Sequence, residues 1–208
     1  IDWIRNFKKN SIFYDVGANV GMYSIFSAIT SQSKVFSFEP ESNNFQILME
    51  NIIINNLSNY IKPYPIGISD LSELTTLFLS TFHKGGSHHM IKESLDHNLK
   101  KKNTKIEQGI FSITLNELVE KWNLPIPDYL KIDVDGIEFK IINKSDLILK
   151  NPKLKSILIE INSLRDEDQE IIKILNKNNF IFDQKQVDLA IRKSGPHTGY
   201  AEYLFYRM

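Results

Sequence analysis

Residues 12–21 read I-F-Y-D-V-G-A-N-V-G. An apolar run ends at Asp15, and glycines follow at Gly17 and Gly21. The pattern predicts a strand over 12–16, a tight turn, and a helix over 20–30. Gly17 permits a sharp turn with close backbone approach, and Gly21 lets the helix pack near the sheet. Taken alone, the turn fits an ordinary strand-to-helix connection as well as a ligand cradle. Asn19 stands where the common dinucleotide fingerprint has its second glycine.

On either side, β-branched and aromatic runs alternate with helix-period segments, which predicts an α/β fold with a parallel sheet and crossover helices. Further strands are expected at 34–39, 60–66, 128–133 and 156–161. Helix 41–55 carries Phe45, Leu48, Met49 and Ile52 at helical spacing. Thr114 and Glu117 match a capping box before L-V-E-K-W. A helix is expected over 135–149, and another over 164–177, opened by Ser163 and the acids at 166–168. The runs 179–183 and 201–207 are joined by a polar connection too short for an easy crossover helix, so they predict an antiparallel hairpin.

T-T-L-F-L-S (75–80) and G-I-F-S-I (109–113) add an extra strand pair between the third and fourth strands. The long connection inside it, 81–108, is the expected substrate lid. Ile91, Leu95 and Leu99 are spaced there for a short amphipathic helix. No Pro-, Gly- or Ser-rich linker divides the chain, and residues 1–208 are expected to form one domain.

Composition narrows the function classes. The chain has 208 residues, with Lys plus Arg and Asp plus Glu at 25 each and a formal net charge of zero. That balance gives no global attraction to nucleic acid or to an anionic membrane. The basic run K-K-K-N-T-K (100–105) has no interleaved aromatics and reads as a solvated loop, so no nucleic-acid partner is expected. The chain contains no cysteine, which excludes disulfides, thiolate zinc sites and cysteine nucleophiles. No apolar run approaches the ~20 residues of a membrane span. The first residues, I-D-W-I-R-N-F-K-K, lack the apolar core of a signal peptide, so a cytoplasmic location is expected.

Glu39, at the tip of V-F-S-F-E-P, lies 22 residues after Gly17. A carboxylate there is placed to accept hydrogen bonds from vicinal ribose hydroxyls. Turn and carboxylate together favour a nucleoside over a bare structural turn. An asparagine at position 19 would crowd a pyrophosphate yet suits a carboxylate or an amine. S-adenosylmethionine carries those groups and no phosphate, whereas an NAD-type dinucleotide, the alternative ligand, needs the missing glycine.

D-V-G-A-N-V-G, F-E-P, I-T-L-N-E-L (113–118) and above all D-Y-L-K-I-D-V-D-G-I-E (128–138) resemble the FkbM-type methyltransferases. The resemblance covers roughly residues 10–208. It departs from the family at Asp135, usually Glu, and at Ile137, often Ala. It implies a Rossmann-like class I fold: a seven-stranded, mostly parallel sheet with an antiparallel C-terminal hairpin and helices on both faces. It also implies S-adenosylmethionine as methyl donor, and O-methylation of a hydroxyl on a sugar, a glycan or a secondary-metabolite precursor.

By position, the turn from Asp15 through Gly17, Ala18 and Asn19 to Gly21 would meet the methionine part of the donor, with Asp15 near its amino group. Glu39, followed by Pro40, would hold the ribose. Ser69 or Asp70 would border the adenine. Asp133 would face the transferring methyl and is the first choice of base. Asp135, Glu138, His83, His88 and His89 are the other groups considered, the histidines because they titrate near neutrality on the expected lid. Asp133, Glu160 and Asn162 could face one cleft as oxygen ligands, but their spacing is not diagnostic and no metal is assigned.

Overall fold

The structure is a computed structural model describing residues 1–79, 90–91, 106–134, 136–195 and 198–208. Its elements run α1 (Asp2–Arg5), β1 (Ile12–Val16), α2 (Met22–Ser31), β2 (Lys34–Phe38), α3 (Ser42–Ile54), β3 (Ile61–Tyr64), β4 (Gly67–Ile68), β5 (Glu73–Leu79), β6 (Met90–Ile91) and β7 (Ile106–Ile113). They continue with α4 (Leu115–Glu120), β8 (Tyr129–Ile132), α5 (Glu138–Asn143), α6 (Asp146–Lys150), β9 (Ser156–Asn162), α7 (Asp166–Lys177), β10 (Phe180–Phe182), α8 (Gln184–Ala190) and β11 (Tyr200–Arg207).

Seven strands form one sheet in the order β10-β11-β9-β8-β1-β2-β3. The five from β9 to β3 are parallel, and β11 is antiparallel to both β9 and β10. Side chains alternate across the sheet as the strand period requires. Phe13, Val35, Tyr129 and Leu158 enter one core with Trp3 and Ile4 of α1, Ala28 of α2 and Leu48 of α3. Tyr14, Phe38, Leu130 and Ile157 enter the other, against Leu118 of α4, Ile141 of α5, Leu149 of α6 and Ile171 of α7. Helices therefore cover both faces, as the family resemblance implies.

The expected extra strand pair is real, and it is the middle of a four-stranded sheet, β4-β7-β5-β6. Leu77 of β5, Ile91 of β6 and Ile110 of β7 join the same buried cluster as Tyr14 and Phe38. The inserted sheet thus shares a core with the main one.

Four expectations need correction. Ile91 lies in a strand opposite Leu77 and not in a helix, while Leu95, Leu99 and most of the lid fall outside the described residues. The helix expected over 135–149 is split into α5 and α6, because the Ser145 hydroxyl donates to the Ile141 carbonyl (2.6 Å) and competes with the helical ladder. The final pair is antiparallel, but its connection holds α8, capped by Asp183 on the Lys185 N–H (2.9 Å) and anchored by buried Val187. Ser163 does not open α7. The Arg165 N-cap makes no side-chain cap, and Asp168 in the first turn accepts from the Asn162 N–H (2.7 Å).

Only half of the capping box forms within α4. Thr114 accepts from the Glu117 N–H (3.2 Å), but Glu117 turns to the Ser72 hydroxyl, and Ser72 Oγ accepts the Thr114 N–H (3.3 Å). Helix α1 was not expected from sequence. Trp3 anchors it by donating Nε1–H to Ser156 Oγ (2.7 Å), and Phe7 stacks on Tyr129 with ring centroids 3.7 Å apart. Among the described residues no helix is long and apolar enough to cross a membrane.

Candidate active site

Strand order reverses beside β1, whose neighbours are β2 and β8, so a crevice opens outside their carboxyl ends. A cleft of about 110 Å³ lies there, with Gly17, Asn19, Glu39, Pro40 and Asp133 in its lining.

The glycine turn is held from both sides. The Gly17 and Ala18 N–H groups donate to the Phe38 carbonyl at 3.0 and 3.1 Å, tying the turn to β2. Gly17 has φ +74°, and a Cβ there would collide with the Asp133 carbonyl oxygen. The close approach that demands glycine is therefore to the end of β8. At Gly21, φ +91°, a Cβ would meet Leu48 of α3 at 2.5 Å, so this glycine serves helix–helix packing and not, as expected, helix–sheet packing. Asn19 adopts φ 50°, a left-handed conformation that asparagine tolerates, with its Oδ1 accepting the Val20 N–H (2.8 Å).

Glu39 is 5% exposed and bridges two elements. One oxygen accepts from the Asn19 N–H (2.8 Å) and the other from the Glu41 N–H (3.0 Å). Burial pushes its carboxyl up to about 7, against the opposing pull of those two donors. Glu41, also in the lining, caps α3 by accepting from the Asn43 and Asn44 N–H groups at 3.0 and 2.7 Å. Asn44 adds a further polar group, and an apolar wall is formed by Phe38 and Ile68, joined by Leu77 and Ile91 of the inserted sheet.

Asp133 stands at the end of β8 with its side chain 43% exposed. The following loop is clamped by Glu138, whose oxygens accept the Val134 N–H (3.2 Å) and the Gly136 N–H (2.9 Å). A carboxylate considered on sequence as a base thus organises the turn that carries Asp133.

Other expected site residues stand away from the cleft. Asp15 is fully buried under α2, where Ser24 Oγ donates to it (2.6 Å), and Ala18 is buried in the adjoining core. Ser69 donates to Asp70 (3.0 Å) just after β4, beyond Gly67 and Ile68, where the lining ends on that element. His83, His88, His89 and Asp135 lie outside the described residues. Glu160 pairs with Arg192 (3.1 Å) and Asn162 Oδ1 accepts the Leu164 N–H (3.0 Å). Among the described residues no group of three or more His, Cys, Asp or Glu is placed to hold a metal.

Sequence reasoning missed Lys131. Its register partner is Asp15, and the strand period puts both on the face beneath α2. Its ammonium lies 3.2 Å from Asp133 and 3.6 Å from Asp15, and it donates to the Gly17 carbonyl at 3.1 Å. Alternation along L-K-I-D was the available signal.

Comparison with known proteins agrees with this architecture. The Methyltransferase FkbM domain matches residues 15–182. The hexuronic acid methyltransferase AglP of Haloferax volcanii is 24% identical over 193 residues, covering 87% of this chain and 73% of that protein. The methyltransferase sdnD of Sordaria araneosa is 24% identical over 166 residues, 69% of this chain and 63% of that one. In fold, an rRNA methylase from Streptococcus thermophilus superposes with a TM-score of 0.57 at 11% identity, covering all of this chain and 93% of that one. The chain belongs to the FkbM-type methyltransferase family and is a Rossmann-like, S-adenosylmethionine-dependent methyltransferase.

Proposed function

We propose that the protein O-methylates a hydroxyl of a sugar, a glycan or a secondary-metabolite precursor, with Asp133 as the group that takes the hydroxyl proton. The observation that carries this reading is the half-exposed Asp133 carboxylate, which shares a cleft with the buried Glu39. A hexuronic acid methyltransferase among the relatives supports an acceptor of carbohydrate type.

The cleft suits the donor chemically. Glu39, Glu41 and Asp133 line it and no Lys or Arg does, among the described residues. Three carboxylates would repel a pyrophosphate, whereas a ligand bearing a sulfonium and an ammonium is complementary to them. Glu39, with one N–H on each oxygen, keeps a lone pair on each for ribose hydroxyls. The apolar wall of Phe38, Ile68, Leu77 and Ile91 suits the flat face of an adenine. Gly17 and Asn19 would border the amino-acid end. Asp15, sealed beneath the turn, supports that end from below.

When bound, S-adenosylmethionine supplies an electrophilic methyl group on a sulfonium. A sugar hydroxyl is a weak nucleophile, and Asp133 would strengthen it by accepting its proton as the new C–O bond forms and the methyl's bond to sulfur breaks, which leaves S-adenosylhomocysteine as the second product. The Glu138 clamp holds the loop that presents Asp133. The shared core of the two sheets supports treating residues 1–208 as one domain, with acceptor choice assigned to 81–108.

Single-turnover transfer of a labelled methyl group to a panel of sugars, uronic acids, nucleotide sugars and polyketide-like alcohols tests the reading. The expected product is a methyl ether at a hydroxyl. Methylation confined to carboxylates or nitrogens would overturn the proposed acceptor class.

A further inference from the structure

The Lys131 side chain is 4% exposed, in a strand buried on both faces. An uncompensated ammonium at such a depth costs several kcal/mol or gives up its proton. Groups from four elements face it. They are the Gly17 carbonyl on the glycine turn, Asp133 Oδ2 at the end of its own strand, Asp15 Oδ1 on β1, and the Tyr23 ring of α2, whose centroid is 5.0 Å away. Behind them, the Tyr23 hydroxyl donates to Glu202 on β11 (2.7 Å). Burial pulls the ammonium down, but Asp133 and Asp15 outweigh it, and the net shift is upward.

The choice of partner is informative. For stability alone, the ammonium belongs against Asp15 Oδ1, which is buried and has no hydrogen-bond partner. Water cannot reach that oxygen, whereas Asp133 is 43% exposed and water can solvate it. Lys131 nevertheless sits closer to Asp133, at 3.2 Å against 3.6 Å, and bonds the glycine turn at the same time. A buried cation is thus directed at the solvent-facing carboxylate while an interior oxygen goes without a bond.

We propose that Lys131 is a positioning residue for methyl transfer. It fixes one oxygen of Asp133 against the Gly17 turn and leaves the other for the acceptor hydroxyl, and Asp15 beneath keeps the ammonium charged. This rests on Asp133 being the proton acceptor.

Lys131→Met alone would strand Asp15, so the informative variant pairs it with Asp15→Asn, and Lys131→Arg serves as the rescue. In the ligand-free protein, three-bond couplings of labelled Asp133 should report one χ1 rotamer in the wild type and rotamer averaging in the double variant. Asp15→Asn alone serves as the control for donor affinity, and the double variant should bind S-adenosylmethionine within about threefold of that control by calorimetry. With the acceptor found by the panel, kcat should fall roughly 10- to 100-fold while the acceptor KM changes less than about threefold. Lys131→Arg should recover part of kcat. A single retained rotamer in the double variant, or unchanged kcat where Asp133→Asn is inactive, overturns the positioning role alone. An active Asp133→Asn overturns the proton-acceptor reading and this inference with it.

Discussion

Two cations, the buried Lys131 and the half-buried Arg207, one near each end of the sheet, are held in opposite ways. Lys131 lies beneath the cleft among ionised groups, Asp15 and Asp133, with one interior carboxylate oxygen left without a hydrogen bond. Arg207, near the amino ends of the parallel strands, meets neutral carbonyls: Leu154 (2.8 Å), Asn178 (3.1 Å), Leu149 (2.5 Å) and Asn151 (3.0 Å). Three of those carbonyls belong to the last turns or caps of α6 and α7, where a cation also suits the helix dipole. Its guanidinium covers the Phe180 ring at 4.3 Å. Every partner of Arg207 is satisfied by its presence, which is how a structural staple is built. Lys131 stands 3.6 Å from a buried carboxylate oxygen that has no hydrogen bond, and in the proposed reading that departure from the stabilising arrangement belongs to the functional end.

The contrast predicts that damage at one end is read in catalysis and at the other in stability. Asp133→Asn should lower kcat about 10²- to 10⁴-fold, the usual worth of a positioned base, with little change in Tm. A large Tm loss with intact kcat would place Asp133 in the structural class. Arg207→Met should cost about 2–4 kcal/mol in urea unfolding, because it removes a charged donor from four carbonyls, yet the folded variant should bind S-adenosylmethionine as wild type does. A changed affinity in calorimetry would break the contrast.

Glu39 should show both behaviours with opposite pH slopes. Its carboxyl titrates at about 7 when folded and near ~4.3 when unfolded, so the native state holds the extra proton between those values. The associated stability is full below the unfolded value and is lost as pH rises through 7, amounting to about 2 kcal/mol against Glu39→Gln between pH 5 and 8. Donor affinity should run the other way and weaken below pH 7 as the carboxylate is protonated, which titration calorimetry across that range will read. The smallest effect is at Thr114→Ala, about 1 kcal/mol for one lost helix cap, measured by Tm, with kcat unchanged.

Most of the sheet was legible because strands buried on both faces are long apolar runs bounded by turns. The two-residue strands β4 and β6 carry too few residues to show a period, and α8 hides in a polar segment because its buried residue is Val187 alone. Within the site, Gly17, Asn19, Glu39, Pro40 and Asp133 could be read as neighbours because each follows a parallel strand that ends at the same edge. Asp15, expected in the turn's lining, is instead buried beneath it. It shares the face of Phe13, and the period-two rule already put it under α2. What approaches Gly17, and which walls Leu77 and Ile91 complete, depends on contacts between distant segments that no local pattern encodes.

The inserted sheet has a consequence for engineering. Because Leu77 and Ile91 form part of the wall of the cleft proposed for the cofactor, the segment that they flank is, on that proposal, not an interchangeable cassette. Grafting residues 73–113 from a relative to redirect acceptor choice would also remodel the donor pocket, and the two specificities will have to be evolved together.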